Sequence, residues 1–442
     1  MVVVGAARSG IAAAELLARR GARVTLTDTR ESFDGMDRLR GAGVELEVGG
    51  HRDQTFAAAN LVVVSPGVPL EQPVFDTARA QHVEIIGELE LAARWVQGRV
   101  IAITGTKGKS TTTTLVGRML TAAGRKVLVG GNIGVPLSAQ VDQSTPDTLH
   151  VVEASSFQLE TTTTFRPWIA VWLNLADDHL DRHPTLDAYA SAKARIFEHQ
   201  GEGDWTVVNA DDPLVMDRTA RSAATRVSFS LEGRIGHGFV VDGEWIVRRT
   251  ATGAERLLPL SAVELTGRHM LNNVLAAAAV STLAGAPPEA MVVALQGFHG
   301  LEHVMEPAGE IGGVRFINDS KATNVEAAKR SIESFDRGVV AIVGGRFKGG
   351  DFRELREPMR KRGRAVVAIG EAAPRVREAL EGTVLVIEAG SMREAVQRAH
   401  AAAEPDGVVL LAPACSSFDW FRDYAERGRV FKEEVERLKR EE

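Results

Sequence analysis

Short, continuous apolar runs rich in β-branched residues alternate with segments of helical apolar spacing along the whole chain. The runs lie at residues 2–4, 24–27, 61–65, 100–104, 127–129, 149–153, 169–175, 206–209, 339–344, 366–369, 384–387 and 408–411. Between them, apolar positions recur every three or four residues, as at 112–123, 185–197 and 273–284. This alternation predicts parallel sheets with crossover helices. Strands apolar on both faces are buried on both faces, so helices are expected on each side of a sheet and ligands beyond the strands' carboxyl ends. Residues 229–258 break the pattern: short strands around Gly243 and Gly253 predict a small antiparallel excursion.

The length of 442 residues exceeds what one hydrophobic core organises and predicts about three domains. A helical segment before a new glycine-rich strand and loop sets one boundary near 88–98, and a fresh strand series sets another near 297–301. The expected division is 1–90, 91–298 and 299–442. Composition is that of an ordinary globular protein, 44% hydrophobic and 25% charged, with a net charge of −6 and scattered basic residues. No cationic stripe suits a phosphate backbone, so nucleic acid is not an expected partner. The single cysteine, Cys415, cannot form an internal disulfide, and no leader or bilayer-spanning run is visible, which predicts a cytoplasmic chain without membrane insertion.

Two glycine loops follow strands. Gly5-Ala-Ala-Arg-Ser-Gly10 joins the first strand to an apolar helix, with Asp28 ending the next strand, a Rossmann-like layout whose middle glycine is Ala7. A tight structural turn is the alternative. Gly105-Thr-Lys-Gly-Lys-Ser-Thr111 opens the next helix, where N–H groups and the helix dipole would converge on a polyphosphate. Lys109 is placed to reach terminal phosphates and the Ser110 hydroxyl to hold a magnesium ion. Glu153 ends a buried strand, well placed as a second oxygen ligand. The Asp177-Asp-His-Leu-Asp-Arg-His183 cluster could add ligands, although on spacing alone a solvated turn is the better reading. Lys193 shares an apolar helical face with Leu186, Tyr189 and Ala190. Buried there, it would be a neutral amine able to take up carbon dioxide as a carbamate; reaching out to solvent is the commoner outcome.

Taken together, these motifs resemble those of the Mur ligases over nearly the whole chain. Gly105 to Thr111 is similar to their ATP loop, Glu153-Ala-Ser-Ser-Phe157 to their magnesium glutamate motif, and Asp178-His179-Leu-Asp181 with Ser191-Ala-Lys193 to their histidine and carbamylated lysine. The resemblance implies a UDP-binding, Rossmann-like N-terminal domain, a central ATPase domain and a Rossmann-like C-terminal domain that brings an amino acid. Further runs resemble the glutamate-adding branch: Asp28-Thr-Arg30, Ser65-Pro-Gly67, Gly131-Asn-Ile-Gly134, Asn318 to Asn324, Gly344 to Lys348, and Ala412 to Asp419 with Tyr424.

The same resemblance implies a monomeric enzyme that uses ATP and Mg2+ to join D-glutamate to UDP-N-acetylmuramoyl-L-alanine through an acyl phosphate. Lys109, Glu153, His179 and Lys193 would be catalytic, with Ser110, Glu153, His179 and Lys193 at the metal. Gly105, Thr106, Lys107, Gly108, Lys109, Ser110, Thr111, Asn273 and Asp319 would meet ATP. The UDP substrate would be met by Ser9, Asp28, Thr29, Arg30, Ser65, Asn132 and His179. Thr323, Lys348, Ser417 and Tyr424 would surround D-glutamate.

Two positions depart from the family pattern. Val304 stands where an arginine is expected and Met270 where an asparagine is, both on the ATP side. They leave open a non-catalytic or impaired nucleotide-binding member, and the first loop leaves open an oxidoreductase, a reading that gives no role to the second loop.

Overall fold

The computed structural model describes residues 1–176, 182–220, 222–265, 267–347 and 349–442. The chain forms two compact units, Met1–Phe298 and His299–Glu442. Three sheets are seen among the described residues, two in the first unit and one in the second.

The first sheet runs Glu45–Val48, Thr25–Asp28, Val2–Val4, Leu61–Val64, Glu84–Gly87, with every pairing parallel. Of its interior strands, Val2–Val4 and Leu61–Val64 are wholly apolar and buried because helices cover both faces. The order of the strands reverses at Val2–Val4, so the loops after Val4, Asp28 and Val64 open onto one crevice.

In the second sheet the order is Val127–Gly131, Leu149–Glu153, Arg99–Thr104, Ile169–Trp172, Trp205–Asn209, Thr225–Ser230, and then Gly238–Asp242, Trp245–Thr250 and Gly253–Pro259. The last three form the antiparallel excursion, which continues the edge of the parallel sheet. Arg99–Thr104 sits between Leu149–Glu153 and Ile169–Trp172, so the loops after Thr104, Glu153 and Trp172 meet at one end. The helix Arg268–Leu283 packs on the glycine-loop helix Lys109–Ala122, and its residues from Asn273 to Ser281 are all buried.

The second unit holds Glu306–Ile311, Val314–Asn318, Val408–Leu411, Val339–Gly344, Gly363–Ile369, Leu385–Ala389, parallel except for the first pair. Helices on both faces enclose two apolar clusters, one around Ile332, Val343 and Leu410 and one around Phe316, Ile369 and Phe431. The helix Tyr424–Glu441 closes the unit. Among the described residues no helix is long and apolar enough to cross a membrane.

Candidate active site

The site is built on the turn from Arg99–Thr104 into Lys109–Ala122. Gly108 caps that helix at φ 84°, a left-handed conformation, and a Cβ there would lie 2.2 Å from Asn273 Oδ1. Asn273 is thereby pressed against the loop, and its amide also donates weakly to Met270 Sδ at 3.8 Å. Met270 thus supplies a soft acceptor where an asparagine was expected.

Not all of the loop's N–H groups face inward. Those of Thr106 and Lys107 donate to Asn174 Oδ1 at 3.1 and 2.8 Å, while Asn174 Nδ2 donates to the Lys107 carbonyl at 3.0 Å. Asn174 therefore fixes the loop's first half, which leaves the first helical turn, from Lys109 to Thr111, as the end that offers N–H groups and dipole to an anion. Sequence reasoning missed Asn174. Its only signal is a polar residue just past the buried strand Ile169–Trp172.

Two lysines converge on one oxygen. Lys109 Nζ donates to the carbonyls of Gly105 at 3.0 Å and Thr106 at 2.9 Å, and Lys193 Nζ donates to the same Gly105 carbonyl at 2.8 Å. Lys193 is 1% exposed and its Nζ lies 4.4 Å from the centre of the Tyr189 ring, so it is packed inside and does not reach solvent. The two amines thus share one acceptor, and an anion beside the loop would meet donors from both.

The oxygen donors stand next to these lysines. Glu153, 2% exposed at its strand's end, accepts from Ser110 Oγ at 2.6 Å on Oε2 and from Asn132 Nδ2 at 2.6 Å on Oε1. A carboxylate paired with a hydroxyl is hard-oxygen chemistry, suited to Mg2+, which keeps most of its shell for water and phosphate. Among the described residues no group of three or more His, Cys, Asp or Glu is arranged to hold a metal. His179 and its neighbours 177–181 lie outside the described residues, as does Lys348.

Beside this site Ser155 caps a short helix with a capping box to Gln158, presenting Ser156 and Phe157. His183 is buried against that turn. Its Nε2 lies 3.0 Å from Ser156 Oγ, its ring stacks on Phe157, and its Nδ1 lies 3.3 Å from Glu160. Burial pushes the Glu160 carboxyl up, against the nearby Arg182 charge.

The first glycine loop is closed rather than open. Ser65 Oγ donates to the Gly5 carbonyl at 2.8 Å, and a Cβ on Gly10 would lie 1.8 Å from that carbonyl oxygen. Asp28 accepts from Arg30 N and Nε on Oδ1, both at 2.9 Å, and from Ala6 N at 2.6 Å and Arg30 Nη2 at 2.9 Å on Oδ2. The Arg30 guanidinium holds this carboxyl well below the usual range. An acid so occupied is not free for a ribose diol, and this removes the main support for the oxidoreductase reading. Thr29 and Arg30 are exposed at the crevice, and Ser9 is half-buried in the first helical turn.

In the second unit, buried Asp319 accepts from Ser331 Oγ and from Met305 N, and burial raises its pKa. Met305 and His303 both have positive φ, 45° and 64°, so the loop around Val304 is strained backbone. Asn318 holds it, donating to Glu306 at 2.9 Å, and His303 N donates to Glu306 at 2.8 Å. Lys321 N donates to the His303 carbonyl at 3.1 Å, which ties the Asp319-Ser-Lys321 run to this loop. Ser417 is buried, Thr323 half-buried and Tyr424 39% exposed at its helix start. Cys415 is fully packed, its thiol pushed up to about 12 by burial, and so is inert.

The sequence matches the MurD-like N-terminal domain of Mur ligases over residues 1–87, the Mur ligase middle domain over 103–281 and the Mur ligase glutamate ligase domain over 305–415. The chain belongs to the Mur ligase family. A UDP-N-acetylmuramoylalanine--D-glutamate ligase from Acidobacterium capsulatum is 48% identical, covering 98% of this chain and 95% of that one. Its namesake from Koribacter versatilis is 42% identical over 100% and 98%. Among solved Mur ligase structures, the UDP-N-acetylmuramate-alanine ligase of Thermotoga maritima shares the fold, with a TM-score of 0.56 and 19% identity over 100% of this chain and 99% of that one. E. coli FolC with ADP, also similar in fold, has a TM-score of 0.55 and covers 80% of this chain.

Proposed function

We propose that this chain joins D-glutamate to UDP-N-acetylmuramoyl-L-alanine at the cost of ATP, as a monomer in the cytoplasm. The convergence of Lys109, Lys193, Ser110 and Glu153 around the Gly105 loop carries the reading. The match in name and length to relatives that bear this activity supports it. No observation favours the impaired alternative, since Lys109, Glu153 and Lys193 are all in place.

The substrate carboxylate attacks the γ-phosphorus of ATP, giving an acyl phosphate and ADP. The D-glutamate amine then attacks the acyl carbon, a proton leaves the nitrogen, and inorganic phosphate departs as the amide forms. The first turn of Lys109–Ala122 and the Lys109 ammonium receive the negative charge of the transferring group. Ser110 and Glu153 would hold Mg2+, which supplies further charge neutralisation at the phosphates when bound. Lys193, enclosed beside Lys109, has reason to carry a carbamate: its ammonium would first give up a proton, and the resulting amine would take up carbon dioxide with loss of a second proton, leaving an anion next to the Lys109 ammonium. Asn132 and His179 are assigned to the muramoyl portion, Asn273 and Asp319 to the adenosine, and Thr323, Lys348, Ser417 and Tyr424 to D-glutamate.

The two-step route is tested by trapping. With ATP and UDP-N-acetylmuramoyl-L-alanine but no D-glutamate, hydroxylamine should capture the acyl phosphate as a hydroxamate. Turnover to the amide without any trappable acyl species would contradict it. Carbamylation is read separately, as the mass of one carbon dioxide on the peptide holding Lys193.

A further inference from the structure

The second unit encloses an arginine that the site above does not use. Arg427 ends the first turn of the helix Tyr424–Glu441 and is 1% exposed. Its Nη2 donates to the Ser320 carbonyl at 2.9 Å, its Nε to Ser320 Oγ at 3.0 Å and its Nη1 to the Cys415 carbonyl at 3.1 Å. All three partners are neutral oxygens, and both residues that supply them are fully buried. Burial lowers the pKa of Arg427 to about 10, so the side chain stays a cation at neutral pH.

The guanidinium stands where three runs of the chain meet. Ser320 belongs to 318–324 and Cys415 to 412–419, and these two runs also join through Ala414 N, which donates to the Ala322 carbonyl at 2.9 Å. The third run, 344–347, is joined to the second by Arg346 N and Ser416 N, each donating to the other's carbonyl, at 2.9 and 3.1 Å. It passes so close that a Cβ on Gly345 would lie 2.3 Å from the Ser416 carbonyl oxygen and 3.2 Å from Arg427 Nη1. Ser320 Oγ in turn donates to the Tyr424 carbonyl at 2.7 Å, so the start of the helix is held in the same frame.

Three of the four residues assigned to D-glutamate are carried by this frame. Ser417 follows Cys415 by two residues, Thr323 follows Ser320 by three, and Tyr424 is held by its own carbonyl. Asp319, assigned to the adenosine, has anchors of its own in Ser331 Oγ and Met305 N. Only a planar fork reaches the oxygens of two runs at once; a lysine has a single nitrogen to offer. An apolar side chain would leave the buried Ser320 and Cys415 carbonyls short of a donor.

We propose that Arg427 is a positioning residue for the amino-acid substrate: by bonding 318–324 to 412–419 and to the helix start, it sets the spacing of Thr323, Ser417 and Tyr424 before the amino acid arrives. The proposal rests on the second unit being the D-glutamate site. It concerns the second half of the reaction alone, because the acyl phosphate forms without the amino acid.

Two readouts on the whole protein test it: KM for D-glutamate with ATP and UDP-N-acetylmuramoyl-L-alanine saturating, and the hydroxamate formed with hydroxylamine when D-glutamate is left out. Arg427→Met should raise the first roughly tenfold or more and keep the second within about twofold of the wild type. Arg427→Lys, which can still donate to one of the two carbonyls, should recover part of the loss. Ser320→Ala keeps the cation and removes the hydroxyl between Arg427 and Tyr424. It should raise KM for D-glutamate by a smaller factor, and it decides the matter if Arg427→Met does not fold. An unchanged KM in Ser320→Ala and Arg427→Lys overturns the role, and so does hydroxamate that falls in step with amide formation, since the arginine then only holds the unit together. A wild type that forms hydroxamate but no amide from D-glutamate overturns the assignment of the amino acid itself, and this inference with it.

Discussion

Lys109 and Lys193 owe their effect to a shared neighbour. Each amine donates to the Gly105 carbonyl, which holds both beside the glycine loop. Lys109→Ala should abolish ligation and leave the fold intact, because it removes charge that counts most in the transition state; phosphate release measured alongside thermal unfolding checks both halves. Val304 poses the opposite case. Its neighbours His303 and Met305 have positive φ, so the loop is held in strained backbone, and a valine has no charge to offer an anion. Val304→Arg should raise kcat/KM for ATP by roughly tenfold to a hundredfold, the worth of a charge-assisted contact of about 1.5 to 3 kcal/mol. An unchanged or lower value would show that another cation already serves. The loop residues were legible because phosphate binding needs them consecutive in the chain. Asn174 was not, since its partner Thr106 is far away in sequence and only the fold brings them together.

The helix Glu88–Ala93 shows how one element joins two sheets. Burial pushes the Glu90 carboxyl up, but hydrogen bonds from the Thr164 hydroxyl, the N–H groups of Thr163 and Thr164, and Arg94 outweigh it and bring its pKa down to about 2. Phe165 N donates to it as well. A carboxyl depressed below its unfolded value of 4.5 stabilises the fold above that pH, and the contribution disappears as pH falls towards 2. Glu90→Gln should cost about 2 to 3 kcal/mol at neutral pH and flatten the acid limb of stability between those values; urea unfolding across pH measures it. Elements buried on both faces were legible as continuous apolar runs. Glu45–Val48, Glu84–Gly87 and Glu306–Ile311 were not, because they are sheet edges with an exposed side and so alternate or carry Pro307 and Gly309. Thr225–Ser230 was missed for its exposed, polar start.

At the scale of the molecule, a chain of net charge −6 is proposed to bind three anions: ATP, a UDP sugar and glutamate. It manages this by concentrating its cations locally, at the Gly105 loop and at Arg30, which is itself pinned by Asp28. The family's chemistry was legible because several motifs had to agree over the whole length. The choice of amino acid is the claim on which the rest depends. The direct test is steady-state phosphate release from ATP with UDP-N-acetylmuramoyl-L-alanine and each of D-glutamate, L-glutamate, L-alanine, L-lysine and meso-diaminopimelate. Phosphate release, matched by an equal yield of amide product, is expected with D-glutamate and only background with the others. Equal or faster turnover with another amino acid, or no ATP-dependent product with D-glutamate, would contradict it.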